Sequence, residues 1–350
     1  MKRFVIALAI SLLSASAFAQ VADRDMLVTP EGTVYTVEQR TPSESSGVAA
    51  TSILELSIQS GSSEAQHVLV PESLSRGFHS DGTLAYDASS RTLFVLWTHM
   101  PNGGCSELLL ASYREGKWQP AVSIDFRGNS SRANLRLGIT RRVSQLQKDG
   151  TYADAPALIL HALWWDSNGR GEEARYAMLP IENGALSQDS VEFHSLEEFV
   201  GNDENDETIN TVDAKFNPEI LHHPAIVSSP MQSSVDVVFG DPDKKSIHKV
   251  TLHPIAEHRI HIPVGIGGGG KGGVKPLSVT APANFTADWR GPITVIERGD
   301  TLVFANATDK ALNYLTYSDG AWTEVKSIAL SSKLTVETAL AAVDKMVSSQ

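Results

Sequence analysis

Two stretches of this chain repeat one plan. His79–Ile124 reads as a turn, a short strand at Leu84–Tyr86, a second turn and a long apolar strand at Leu93–Trp97. A loop, a strand at Leu108–Tyr113, the element Glu115-Gly116-Lys117-Trp118 and a last strand complete it. Gly291–Leu330 runs in the same order: Ile293–Ile296, an Arg-Gly-Asp turn, Leu302–Ala305, a loop, Leu312–Tyr317, then Asp319-Gly320-Ala321-Trp322 and a last strand. In both, an acid-Gly-x-Trp element follows a strand that ends in an aromatic residue. A unit of this kind cannot bury its apolar faces alone and must stack on copies of itself. Weaker copies occupy Leu135–Leu186 and His223–Pro254. A fifth occupies Thr29–Pro71, with strands at Gly32–Val37 and Ile53–Ile58.

The central strands of these units begin near residues 33, 93, 158, 235 and 302. A four-stranded propeller blade takes roughly 40–50 residues plus loops. The fold class expected is therefore all-β: a β-propeller of about five four-stranded blades, or six if Arg127–Gln147 forms a blade of its own. Two β-sandwiches would also give many short strands, but would not repeat a G-x-W element. Apolar runs of four to eight residues, such as Leu158–Trp165 and Val235–Phe239, have strand length and not helix length. Ser80-Asp81-Gly82, Arg298-Gly299-Asp300 and Ser318-Asp319-Gly320 read as hairpin turns. Only the end differs. In Ser331–Ser349, Val336, Leu340, Val343 and Val347 recur at helical spacing behind a Ser cap. Residues 20–330 thus form the propeller-like domain, and 331–350 an amphipathic helix packed on it.

The order "D-G-x-L, apolar strand, strand-Y-x-x-G-x-W" resembles the sialidase-type repeat propellers, which carry Asp-box hairpins. Ser318-Asp319-Gly320-Ala321-Trp322 is a shortened relative of the Asp-box pattern S-x-D-x-G-x-x-W. The R-I-P arginine motif of sialidases is absent near the start, and Arg259-Ile260-His261 stands in the wrong place. The resemblance implies a fold and carries no catalytic residue across.

The N-terminus reads as a cleaved secretory signal. Lys2 and Arg3 precede the apolar Phe4–Leu13, and Ala17-Phe18-Ala19 is a cleavage site, so the mature chain begins at Gln20. The expected location is periplasmic or extracellular, with no membrane span after cleavage. The formal charge of −12 becomes −14 once Lys2 and Arg3 are removed. A nucleic acid partner would need a basic patch. The arginines at 127, 132, 136, 141 and 142 are spread out and read as solvated strand faces and loops. Cys105, the single cysteine, rules out an internal disulfide and a Cys-rich zinc site.

The glycine run 265–273 is one residue short of a phosphate loop, because Gly272 stands where the magnesium-binding hydroxyl should be. Pro276 follows, leaving no helix N-terminus for a phosphate. No nucleotide and no other cofactor is expected. His222, His223, His248 and His253 are a weak alternative as metal ligands, because their spacing matches no known site. The acidic stretch Glu197–Glu207 lacks the glycine and terminal Glu of a calcium loop.

One pattern comes from the repeats. Each central strand ends in polar residues: Glu38, His99, Asp166, Asp241 and Asn306. In a propeller these lie at similar heights on one face. Asp166 and Asp241, with His99 beside them, are then candidates for acid and base in glycan cleavage. Trp164 or Trp165 would stack on a sugar, and Glu38 and Asn306 would bind ligand. Turns also favour Asp, Asn and His at strand ends. With no recognisable catalytic constellation, the sequence favours a non-catalytic exported propeller that binds a glycan, peptide or envelope or extracellular protein. A glycan-cleaving hydrolase or lyase using axial acids is the alternative.

Overall fold

The computed structural model describes residues 24–349, except 196–224, 253–276, 281–292 and shorter connecting stretches. The signal segment, Cys105, the glycine run, the acidic stretch and His222, His223 and His253 lie outside the described residues.

Among the described residues, twenty-three strands form five antiparallel sheets, each from one contiguous stretch of chain. The first holds β1 (Arg24–Val28), β2 (Thr33–Arg40), β3 (Ile53–Ser60) and β4 (Gln66–Leu69). The second holds β5 (Phe78–Asp87), β6 (Thr92–Met100), β7 (Ser106–Arg114), β8 (Lys117–Trp118) and β9 (Val122–Arg127). The third holds β10 (Ser130–Leu146), β11 (Tyr152–Asn168), β12 (Gly171–Glu182), β13 (Ala185–Leu186) and β14 (Glu192–Ser195). The fourth holds β15 (Ala225–Ser228), β16 (Val235–Asp241), β17 (Ser246–Leu252) and β18 (Leu277–Thr280). The fifth holds β19 (Ile293–Arg298), β20 (Thr301–Ala307), β21 (Ala311–Ser318), β22 (Ala321–Trp322) and β23 (Lys326–Ala329).

Strands follow one another up and down across each sheet. In three sheets the outermost strand is split in two, both pieces pairing with the third strand. In the second and fifth sheets the repeated G-x-W element makes the first piece. Glu115 and Gly116 both take positive φ in the turn, so β8 folds back and Trp118 pairs with Tyr113, their rings 5.0 Å apart. The fifth sheet repeats this register, with Trp322 opposite Tyr317.

Successive first strands touch: β1 meets β5, β5 meets β10, β10 meets β15 and β15 meets β19. β19 in turn meets β1. The arrangement is propeller-like. The core lies between neighbouring sheets. Leu93, Val95 and Trp97 of β6 pack toward the first sheet, while Phe94 and Leu96 pack toward the third. Burial on both faces explains why such strands read as unbroken apolar runs.

Two expectations are corrected. Arg127–Gln147 forms no separate sheet, because Ser130–Leu146 is the first strand of the third sheet. Ser80-Asp81-Gly82 is not a hairpin turn. It lies inside β5, where pairing with β6 shifts register between Ser80 and Thr83. Gly82 is required there for close approach: a Cβ would lie 2.9 Å from Val37 Cγ2.

The C-terminal helix, α1 (Val336–Ser348), begins later than the sequence suggests, at the Thr335 cap, whose hydroxyl accepts from the Thr338 N–H. It covers the junction of the first and fifth sheets. Val336, Ala339, Leu340, Val343 and Val347 share one core with Met26, Val28 and Val34 on one side and Val303, Leu312 and Tyr314 on the other. No helix among the described residues is long and apolar enough to cross a membrane.

Candidate functional site

Antiparallel pairing brings the ends of the second strands to the end of the molecule where the first strands begin. Glu38 pairs with Arg24, His99 with His79, Asp166 with Arg132 and Asn306 with Ile293. Asp241 closes β16, three residues beyond Val238, which pairs with Ala225 at the start of β15. The polar strand ends therefore occupy one end, but they differ in what they do there.

Glu38 is held by two arginines, at 3.2 Å from Arg24 and 3.1 Å from Arg40. Asp166 is buried, at 4% exposure, and its Oδ1 has no hydrogen-bond partner. Trp164 is 2% exposed inside the core shared by the second and third sheets, so it offers no face to a sugar. Trp165 lies on β11 opposite Ala133, Asn306 on β20 and His248 on β17; only their strand positions are described. Among the described residues no cluster of His, Cys, Asp or Glu could hold a metal ion.

His99 is fully engaged by protein. Its Nδ1 meets Glu107 at 2.8 Å, its Nε2 meets the Arg76 carbonyl at 3.1 Å, and its ring stacks on His79 at 4.3 Å. Gly77 makes this packing possible. Its φ is +137°, and a Cβ there would lie 2.6 Å from the Met100 carbonyl and 2.7 Å from His99 Nε2. Gly77→Ala is expected to cost about 1–3 kcal/mol from backbone strain alone, with the clash added. Urea unfolding at neutral pH measures it, and a loss under about 0.5 kcal/mol would contradict this account.

Reasoning from strand ends missed a second group, on the first strands themselves. Asp81 in β5 and Asn134 in β10 both take positive φ, 52° and 56°. Each stands where its strand breaks register, Asp81 between Ser80 and Thr83, Asn134 between Ala133 and Arg136. The two bulges meet: the Asn134 N–H donates to Asp81 Oδ1 at 3.1 Å, and the Ser80 hydroxyl donates to Oδ2 at 3.1 Å. Burial raises the Asp81 carboxyl above the usual carboxylate range; these two donors and the Arg136 guanidinium oppose that shift. The residue as a whole is half-buried.

Two arginines read as solvated are buried here, Arg132 at 3% and Arg136 at 8% exposure. Arg132 donates to the Ser106 carbonyl at 2.7 Å. Arg136 Nη1 donates to the Leu135 carbonyl, while its Nε and Nη2 have no hydrogen-bond partner. A buried N–H without an acceptor costs about 1–3 kcal/mol, more on a charged group. On the neighbouring first strand, Asp25 is saturated. It accepts from the Thr83 hydroxyl at 2.7 Å and the Leu84 N–H at 2.9 Å, which ties β1 to β5. The arrangement therefore offers the carboxyl of a half-buried residue with raised proton affinity, a guanidinium with two unused donors and a buried carboxylate with one unused oxygen.

No family model and no curated protein matches the chain. Solved structures resemble it weakly. The Hadza microbial sialidase Hz136 aligns with a TM-score of 0.45 and 11% identity over 88% of this chain, which spans 58% of that protein. An ulvan lyase of polysaccharide lyase family PL25 gives 0.41 and 9%, over 89% of this chain and 70% of that one. CoXyl43, a GH43 β-xylosidase/α-arabinofuranosidase from a compost microbial metagenome, gives 0.40 and 9%, over 89% and 91%. This is a weak likeness of fold to sialidase-type and other carbohydrate-active propellers, and it brings no residue and no reaction with it. It does correct the expectation of a non-catalytic protein. Structures of hydrolases and of a lyase align with most of the chain, so the ranking of binding ahead of catalysis is withdrawn.

Proposed function

We propose that this protein is an exported, five-bladed β-propeller that cleaves an acidic glycan at the end where its first strands begin. Asp81 is the proton-transferring group and Arg136 the anion-binding one. The observation that carries this reading is the pair of facing bulges, with a polar residue at positive φ in each. Non-glycine residues persist in that region only where their surroundings hold them, and bulges and strain of this kind concentrate at functional sites.

Arg136 supports the choice of an anionic sugar. Its unused Nε and Nη2 donors suit a bidentate acceptor such as a carboxylate or sulfate. A bound anion would offset the guanidinium charge that now holds Asp81 down. The Asp81 carboxyl would then keep its proton to higher pH, as a general acid must. In hydrolysis that proton goes to the leaving glycosidic oxygen while water adds at the anomeric carbon. In elimination from a uronate, the ionised Asp81 instead removes the proton α to the carboxylate, the C4–O bond breaks as the C4=C5 double bond forms, and the proton taken up by Asp81 passes to the departing oxygen. In hydrolysis Asp166, which the sequence paired with Asp241, would take the proton of the attacking water on its unpartnered Oδ1.

The test is a polysaccharide panel of polyuronates, sulfated polymers and neutral polymers, incubated with the mature protein and read for new reducing ends. Release from anionic polymers alone is expected. The ultraviolet absorbance of an unsaturated uronate separates elimination from hydrolysis. Release only from neutral polymers overturns the role of Arg136, and release from none overturns the function.

A further inference from the structure

The stacked imidazoles of His79 and His99 stand outside the chemistry above, yet their partners define a device. Four partners surround the two rings: the Trp97 N–H, the Ser75 and Arg76 carbonyls and the Glu107 carboxylate. The Trp97 indole N–H, a donor only, points at His79 Nδ1 at 3.2 Å. His79 Nδ1 is therefore an acceptor, its proton sits on Nε2, and Nε2–H donates to the Ser75 carbonyl at 3.2 Å. His99 Nε2–H donates to the next carbonyl, Arg76, at 3.1 Å. Two imidazoles from paired positions on β5 and β6 thus grip consecutive carbonyls of the segment that leads from the 3-10 turn Pro71–Leu74 into β5. Four residues separate that grip from Asp81 at one end and the 3-10 turn closes the other.

We infer that this pair is a proton-sensitive clamp: protonation of His79 releases the segment 75–79 beside the Asp81 bulge. A proton on His79 Nδ1 would face the Trp97 N–H, so two donors would oppose each other. The new charge would also lie 4.3 Å from the His99 ring. The titratable groups facing His79 are His99 and, beyond it, Glu107, whose carboxylate meets His99 Nδ1 at 2.8 Å and accepts from the Ser123 hydroxyl at 3.0 Å. Of these two titratable groups only Glu107 favours the extra proton, and its charge is already committed to His99. Ser52 does not titrate; it bonds both the N–H and the C=O of His79 at 2.7 Å.

Burial pushes His79 down to about 4, with the His99 charge adding to the shift and the Ser75 carbonyl and Glu107 opposing it. Once released, the ring returns to the ordinary value of 6.5. The sign follows from linkage. In the closed form His79 is neutral throughout this window, so opening takes up a proton there, and acid favours opening. The opening constant rises about tenfold per pH unit from 6.5 down to about 4 and levels off below.

The inference does not rest on the proposed activity and is tested without a substrate. Hydrogen exchange of the full chain is followed by mass spectrometry between pH 7 and 4, corrected for intrinsic rates. Exchange in peptides spanning 71–81 should accelerate by about tenfold per pH unit below pH 6.5, while α1 stays protected. His161 supplies the internal control. It is fully buried, boxed by the Thr140 and Tyr176 hydroxyls and pushed down to about 3, so opening driven by it appears in β10–β12 instead. In His79→Gln the acceleration in 71–81 should vanish. Protection of 71–81 that holds to pH 4 in the wild type, or an unchanged acceleration in the variant, overturns the clamp. Imidazole NMR on the unmodified protein gives a second check that needs no variant: His79 must be the Nε2–H tautomer above pH 5, and the Nδ1–H form refutes it.

Discussion

Asp81→Asn is expected to lower kcat on an acidic polysaccharide by at least about 100-fold, the lower range for loss of a general acid or base. KM should stay within a few-fold. The substitution is chosen to leave the fold alone. Asn tolerates positive φ better than most residues, and its oxygen can still accept from the Asn134 N–H. It cannot exchange a proton with substrate. Asp81→Ala would be a poorer test, because it also strains a backbone at φ 52°.

Two companions separate the roles. Arg136→Gln should raise KM for anionic polymers more than it lowers kcat, since it removes charge from binding. Asp25→Asn should destabilise the fold by weakening the tie to Thr83 and Leu84 and change KM little. If Asp81→Asn keeps more than about half of kcat, Asp81 is not the proton-transferring group, whatever the substrate panel shows.

The fold was largely legible in the sequence, and the site only in part. The second strands stand out because both faces are buried, so Leu93–Trp97 and Leu158–Trp165 fall within β6 and β11. The G-x-W element was legible because Glu115-Gly116 needs positive φ and Trp118 needs an aromatic partner across the turn. Repeat spacing also brought Glu38, His99 and Asp166 to one end. It could not tell the occupied Glu38 and His99 from Asp166, because occupancy depends on partners such as Arg24, Arg40 and Glu107.

The first-strand group escaped for a different reason. A bulge has no fixed spacing, and Asp-Gly inside a strand looks like Asp-Gly in a turn. The difference lies in Val37 of the neighbouring sheet, which leaves no room for a Cβ at residue 82. Arg132 and Arg136 were misjudged on similar grounds: scattered arginines usually face water, and only the stacking of sheets decides that these do not.

The largest stability effect should come from Leu340. Each sheet is one contiguous stretch, so no strand is shared between the first and the fifth. The junction is held by β1 against β19 and by α1 laid across both. Leu340 is 0% exposed at the centre of that apolar seam. Arg298 fastens its rim, with Nη2 at 2.7 Å from Asp344 and donating to the Thr29 carbonyl at 3.0 Å. On the other side Gln59 donates to the Thr338 hydroxyl at 3.2 Å. Leu340→Ala should cost about 2–5 kcal/mol, the range for emptying a buried leucine site. Leu340→Asp would bury a carboxylate without a partner, and should abolish the single cooperative urea transition. Met346→Ala, on the exposed side of the same helix at 37% exposure, should stay within about 0.5 kcal/mol of wild type. A Leu340→Ala loss below about 1 kcal/mol would mean that the first and fifth sheets hold together without the helix.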